Sequence, residues 1–204
     1  MRRDEVIRKR GYSSLIAGDD LSLEIASYPV TARYLAERLR EAGVRSVCEL
    51  CCGVGVSLIE FAPYFDDVTG VERDERIAEL ARKNCESSGV RCDIRLGDVA
   101  DEDVLKGIAA DAVAYDIPYW KEYGQGTDSR NPDLARIVAL IRRTVSQDIV
   151  VYAPPHMTHD TIRSLLGECE YQEVWIDGRY DRNFVYLGRL ARTLGATKVE
   201  LQNK

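Results

Sequence analysis

The sequence has no stretch near the roughly 18 consecutive apolar residues that a membrane-spanning helix needs. Its basic start is not followed by the apolar run of a secretory leader, so a cytoplasmic protein with no membrane partner is expected. A basic excess is also missing: 28 Lys and Arg stand against 34 Asp and Glu, a net charge of −6, which excludes a surface built throughout for nucleic acid. Histidine is scarce, with two in 204 residues, and Cys48-x-x-Cys51 has no second pair at finger-like spacing, so no metal site is expected. The six cysteines (48, 51, 52, 85, 92 and 169) then read as reduced thiols acting as small apolar residues. What charge asymmetry exists lies at the start, where Arg2, Arg3, Arg8, Lys9 and Arg10 against Asp4 and Glu5 leave a +3 head. That head reads either as an RNA-touching arm or as a solvated, frayed terminus.

Against these absences one stretch stands out. Val47-Cys48-Glu49-Leu50-Cys51-Cys52-Gly53-Val54-Gly55-Val56 reads as a short buried strand, an acidic residue and a glycine-punctuated turn, with helix-compatible residues resuming from Ser57 to Ala62. Gly53 and Gly55 let the backbone turn sharply and let a ligand lie against it. A dinucleotide fingerprint would carry a third glycine where Leu58 stands, and Val56-Ser57 lacks the lysine of a phosphate-cradling loop. Glu49 would repel phosphate and attract a cation. Residues 49–55 resemble the first motif of class I methyltransferases, with Cys51 where its first glycine usually stands, and the ligand implied is S-adenosylmethionine, whose ammonium and sulfonium groups are cationic.

Along the chain, residues 1–30 are expected to form a small extension and residues 31–190 the main domain, with a tail at 191–204. A helix capped by Thr31 runs to about Ala42 and stops at Gly43. Strands follow at 47–50, 68–72, 92–96, 112–116 and 148–153. Helices separate them: one capped by Asp74, one opened by Asn131-Pro132 with Leu134, Ile137, Val138, Ile141 and Val145 on one face, and one at 158–166. Segments 171–176 and 183–187, flanking a turn-rich 177–182, suggest an antiparallel pair. The expected fold is α/β: a doubly wound, mostly parallel seven-stranded, Rossmann-like sheet with an antiparallel C-terminal strand pair. Ligands of such sheets sit beyond the carboxyl ends of the strands. Glu49, Glu72, Asp98 and Asp116 all fall at or just past those ends and would line one crevice.

The class I pattern implies a role for each. Glu72, 23 residues after Glu49, would accept from both ribose hydroxyls with Arg73 beside it. Asp98 would meet the adenine amino group and the Val99 amide a ring nitrogen, although Asp98 also suits a helix cap. Asp116-Ile117-Pro118-Tyr119-Trp120 resembles the Asp/Asn/Ser-Pro-Pro-Tyr/Trp motif of methyltransferases that act on planar or exocyclic nitrogens. Such an amine has a delocalised lone pair; accepting its protons at Asp116 and a nearby carbonyl, on the turn set by Pro118, frees that pair for attack. Tyr119 would stack on the base, with Trp120, Lys121 and Arg130 as further substrate contacts. Lys121, Arg130, Arg179 and Arg182 read as phosphate contacts or as solvated loop charges.

Cys52-Gly53-Val54-Gly55 with Ile59-Glu60-Phe61-Ala62, Tyr28-Pro29-Val30-Thr31, Pro118-Tyr119-Trp120 and residues 148–154 are similar to the RNA cap guanine-N2 (trimethylguanosine synthase) methyltransferase family over roughly residues 20–190. The resemblance implies methylation of the guanine 2-amino group in RNA, with S-adenosylhomocysteine as product. Asp116-Ile117 stands for that family's Ser-Pro, Tyr119 for its Trp and Lys121 for a usual glycine. Two other readings stay open: methylation of a small molecule or protein amide, which the acidic body suits, and a non-catalytic S-adenosylmethionine-binding module.

Overall fold

Strands of Val, Ile, Ala and Cys, bounded by glycine and acidic turns, require burial on both faces, and helices supply it. The computed structural model describes residues 3–13, 16–117 and 134–203. Its elements are α1 (Arg3–Arg10), α2 (Asp20–Ile25), α3 (Pro29–Glu41), β1 (Ser46–Leu50), α4 (Val56–Phe61), β2 (Asp67–Glu72), α5 (Glu75–Ser87), β3 (Asp93–Leu96), α6 (Glu102–Leu105), β4 (Ala112–Asp116), α7 (Leu134–Thr144), β5 (Ile149–Ala153), α8 (His159–Leu166), β6 (Glu170–Ile176), β7 (Arg179–Leu187) and β8 (Gly195–Leu201). Among the described residues the strands form one sheet in the order β3-β2-β1-β4-β5-β7-β6-β8. Strands β1 to β5 are parallel, β7 is antiparallel to β5 and β6, and β8 runs parallel to β6. This is the expected doubly wound architecture, with eight strands in place of seven.

One apolar core packs α7 and α8 on Val113, Tyr115, Ile149 and Val151; the other packs α3, α4 and α5 on Val47, Ala112, Ala114 and Val150. The chain reverses its winding between β1 and β4, which opens a crevice above those two strands. Leu58, where a dinucleotide site has its third glycine, is fully buried. It fits because its partner strand carries Gly70, where a Cβ would stand 2.6 Å from Leu58 Cδ1 and 2.8 Å from Cys52 Sγ. Close helix–strand contact is thus kept with the small residue moved from helix to strand.

Four expectations are corrected. The first concerns 191–204, taken as a tail, which contains β8; its exposed Lys198 and Glu200 alternate with half-buried Val199 and Leu201, as at a charged sheet edge. A second is the turn at 177–182, which shrinks to Asp177-Gly178, both at positive φ (49° and 75°), the two-residue hairpin whose twist suits the flanking strands. Third, Tyr28 rather than Thr31 caps α3: Pro29 takes the first helical position, and buried Thr31 donates its hydroxyl to Asp181 at 2.8 Å. The last is the short helix α6, capped by Asp101, which was not anticipated.

The N-terminal residues dock on the main fold. Val6, Ile7, Tyr12, Ile16 and Leu23 pack with Val54 and Val56. Arg10 of the basic head turns inward, donating to the Ala26 carbonyl at 3.0 Å and lying 4.2 Å from the Tyr28 ring centroid, while Arg8 and Lys9 stay exposed. Arg2 lies outside the described residues. No helix among the described residues is long and apolar enough to cross a membrane.

Candidate functional site

A cavity of about 280 Å³ opens at the carboxyl ends of β1, β2, β3, β4 and β5. Glu49, Glu72, Asp98 and Asp116 all line it, together with Cys51, Gly53, Arg73 and Val99. Gly55, expected as a cofactor contact, does not; at φ 83° it turns the chain into α4, and a Cβ there would stand 3.3 Å from the Ala81 Cβ. Cys51 takes φ 63°, the left-handed backbone that the usual glycine adopts freely and a cysteine adopts under strain. Pro118, Tyr119, Trp120, Lys121, Arg130 and the Asn131-Pro132 helix start lie outside the described residues.

The four carboxylates have different surroundings. Glu49 is 1% exposed, and its Oε2 has no hydrogen-bond partner among the described residues. Burial, then the nearby Asp116 carboxylate, pushes its pKa up to about 8, against the pull of the Ser57 and Tyr152 hydroxyls and the Arg182 guanidinium. A buried acid with an unused oxygen in a cavity wall is suited to a cation, which would draw it into its ionised form. Glu72 is already engaged: Oε2 accepts from the Gly53 amide at 3.1 Å, and Oε1 accepts from the Arg73 and Asp74 amides at 2.9 and 3.0 Å. A carboxylate offers about four acceptor positions, so three are used. It can take one hydroxyl as it stands, and a grip on both oxygens of a diol requires an amide to yield.

Asp98 Oδ1 accepts from the Ala100 amide at 2.8 Å, which fixes the turn after β3, and Oδ2 lies 3.8 Å from Arg73 Nη1. The helix-cap alternative is thereby settled: Asp101 caps α6. Asp116 ends β4, paired in register with Tyr152 of β5. Burial pushes its pKa up to about 6, opposed by Arg182 and reinforced by Asp181.

Three parts of the site were not foreseen. Arg182 is 12% exposed and lines the cavity from β7, 3.8 Å from Asp116 Oδ2; it read as a loop charge because the turn was drawn too long, and the Asp177-Gly178 hairpin signal would have placed it in a strand. Tyr152 puts a buried hydroxyl into the same wall. Residues 19–27 close one side, held by the Asp19–Arg76 pair at 2.9 Å and by Asn84, which donates to the carbonyls of Ala17 and Val54, both at 2.9 Å.

With this geometry in hand, the comparisons are specific about fold. Residues 47–122 match a family model described as a methyltransferase domain. No curated protein matches the chain in sequence. A crystal structure from Porphyromonas gingivalis W83 assigned as a methyltransferase is 22% identical, with TM-score 0.72, over 94% of this chain and 49% of that one, so this chain spans about half its length. Magnesium protoporphyrin IX methyltransferase from Synechocystis PCC 6803, solved with bound S-adenosylmethionine, is 15% identical with TM-score 0.62, covering 90% of each chain. A Pyrococcus horikoshii protein assigned as an RNA methyltransferase is 17% identical with TM-score 0.59, over 91% of this chain and 95% of that one. These likenesses establish the fold.

Proposed function

We propose, for an S-adenosylmethionine-dependent methyltransferase, that the methyl acceptor is the exocyclic 2-amino group of guanine in RNA. The enzyme class and its cofactor rest on the methyltransferase-domain match and on the fold shared with a methyltransferase solved both with that ligand and with S-adenosylhomocysteine. The observation that carries the reading is the placement of Asp116: a half-buried carboxylate at the end of β4, in the same cavity as Glu49, Glu72 and Asp98.

Each residue then has a task. Glu49 takes up the positive charge of the donor, and Glu72 meets the ribose from beside the Gly53 turn. Asp98 and the Val99 amide meet the adenine, and Arg73 closes the edge next to Asp98. Bound S-adenosylmethionine supplies a methyl group already activated on a sulfonium, so alignment accounts for most of the acceleration. The acceptor nitrogen gains the methyl and loses one proton, which passes to Asp116; S-adenosylhomocysteine leaves. The motif resemblance at residues 116–120 assigns base stacking to Tyr119 and a catalytic role to Pro118, with Trp120, Lys121 and Arg130 as further substrate contacts. A cavity of about 280 Å³ is at the small end of ligand pockets, which run from roughly 300 Å³ upwards. It suits one cofactor-sized molecule with the acceptor at the mouth. The resemblance to trimethylguanosine synthases supports guanine-N2.

The test is incubation with labelled S-adenosylmethionine and total RNA, followed by digestion to nucleosides. Label in N2-methylguanosine is expected; label in any other nucleoside, or none with the cofactor bound, defeats the guanine assignment. The net charge of −6 favours a second reading, a small-molecule or protein-amide acceptor, which the same assay detects as label outside RNA.

A further inference from the structure

Arg182 reaches the cavity from β7, while the carboxylate it faces ends β4 two strands away. Its side chain crosses the end of β5, with the guanidinium carbon 5.2 Å from the Tyr152 ring centroid. Nη1 donates to the Ser27 hydroxyl at 3.0 Å and stands 3.8 Å from Asp116 Oδ2. Nε donates to Asp181 Oδ2 at 3.2 Å, and the Thr31 hydroxyl holds that same oxygen at 2.8 Å. Among the described residues this desolvated cation therefore serves two carboxylates, the closer of them outside the cavity lining and anchored to α3.

We propose that Arg182 is a positioning residue for Asp116, holding a guanidinium charge beside that carboxylate from across β5, and that Asp181 sets how much of that charge Asp116 receives.

Among the described residues, the titratable groups in electrostatic contact with Asp116 come from three strands and the turn after β1. Glu49 and Cys51 come from β1 and the turn after it, Tyr152 from β5, and Asp181 and Arg182 from β7. Of these, Glu49 and Asp181 are acidic and Arg182 is cationic. Burial drives Asp116 toward its protonated form, Arg182 opposes that, and Asp181 assists it. A carboxyl that holds a proton cannot take one from an amine, so this guanidinium decides at which pH the site is competent. That consequence rests on the acceptor role assigned to Asp116; the electrostatic linkage does not.

The test reads the linkage directly. Carboxyl carbons of ¹³C-aspartate-labelled full-length protein are followed by NMR through a pH titration, with the Asp116 signal assigned by its loss in Asp116→Asn. In Arg182→Met, which keeps length without charge, the Asp116 midpoint is expected to rise by about one pH unit or more, a tenfold gain in proton affinity. Arg182→Lys is expected to bring it back within about half a unit, since it restores the charge without the planar fork. Asp181→Asn, which can still accept from Thr31, is expected to move the midpoint the opposite way, downward. An unchanged midpoint in Arg182→Met overturns the proposal. If that variant does not fold, Asp181→Asn decides: a fall supports the linkage, and no change or a rise overturns it. A structural role alone would lower stability and leave these midpoints in place. Shifted midpoints in a protein that methylates nothing would sustain this inference and defeat the functional reading; unmoved midpoints in an active enzyme would do the reverse.

Discussion

Arg38 and Arg182 are both arginines withdrawn from water beside a carboxylate and an aromatic ring, and they are built to opposite specifications. Arg38 Nη2 meets Glu170 Oε2 at 2.6 Å, its guanidinium carbon lies 3.8 Å from the Tyr186 ring centroid, and the Glu170 oxygen also accepts the Arg192 and Thr193 amides at 2.7 and 3.3 Å. That cluster ties α3 to β6 and to the chain before β8, behind the cavity. Arg182 stays 3.8 Å from Asp116, and the space in front of that carboxylate is cavity. A close ion pair, with three donors gathered on one carboxylate oxygen, fixes structure; a loose one at a cavity wall leaves acceptor positions for something that comes and goes.

The sharpest way to separate the two is to break each in turn. Asp116→Asn should lower the methyl-transfer rate by about 10²–10⁴-fold, the usual weight of a positioned proton acceptor, while cofactor affinity stays within about tenfold. The wild-type rate should rise as pH passes upward through about 6, where Asp116 gives up its proton, and then level off in a stopped-time transfer assay. Arg38→Met leaves Glu170 buried without its cation, and urea unfolding should register a loss of about 3–5 kcal/mol. In whatever fraction still folds, the rate-versus-pH curve should keep its midpoint.

Glu49 extends the comparison to a buried acid with no ion-pair partner among the described residues. Its pKa is raised in the fold from 4.5 to about 8, so the native state holds the proton more tightly than the unfolded chain and stability falls as pH rises across that window. Glu49→Gln should remove that slope: thermal unfolding of the ligand-free variant should match wild type near the lower pH and exceed it near the upper one. The smallest effect is expected at Cys51. Relieving its left-handed backbone with Cys51→Gly should add about 1 kcal/mol, less what glycine gives back by loosening the unfolded chain. A loss of stability would mean that the thiol's packing outweighs the backbone strain.

How far the sequence reached depended on the range of the interaction involved. Asp116 was placed at the end of its strand to the residue, because Ala112–Asp116 is a short buried run stopped by an acid, a purely local pattern. Glu49 and Glu72 were located for the same reason. Arg182 was seen but misread, since its importance comes from a cross-sheet reach to Asp116 that nothing within several residues encodes. The wall at 19–27 depends on Asn84 and Arg76, some sixty residues on, and left no local trace. Leu58 was counted against a dinucleotide site correctly, but Gly70, which makes room for it, became meaningful only once strand and helix were seen face to face. The alternation of Thr197, Val199 and Leu201 with Lys198 and Glu200 is, by contrast, a local pattern that marks β8 in the sequence itself.

The convergence of acidic groups on a cationic methyl donor is tested most directly by calorimetric titration of S-adenosylmethionine into the full chain, near pH 7, in two buffers of different ionisation enthalpy. The geometry predicts binding with release of up to about one proton as Glu49 ionises against the incoming charge, and loss of that release in Glu49→Gln. Absence of binding, or an identical proton count in the two proteins, would contradict it.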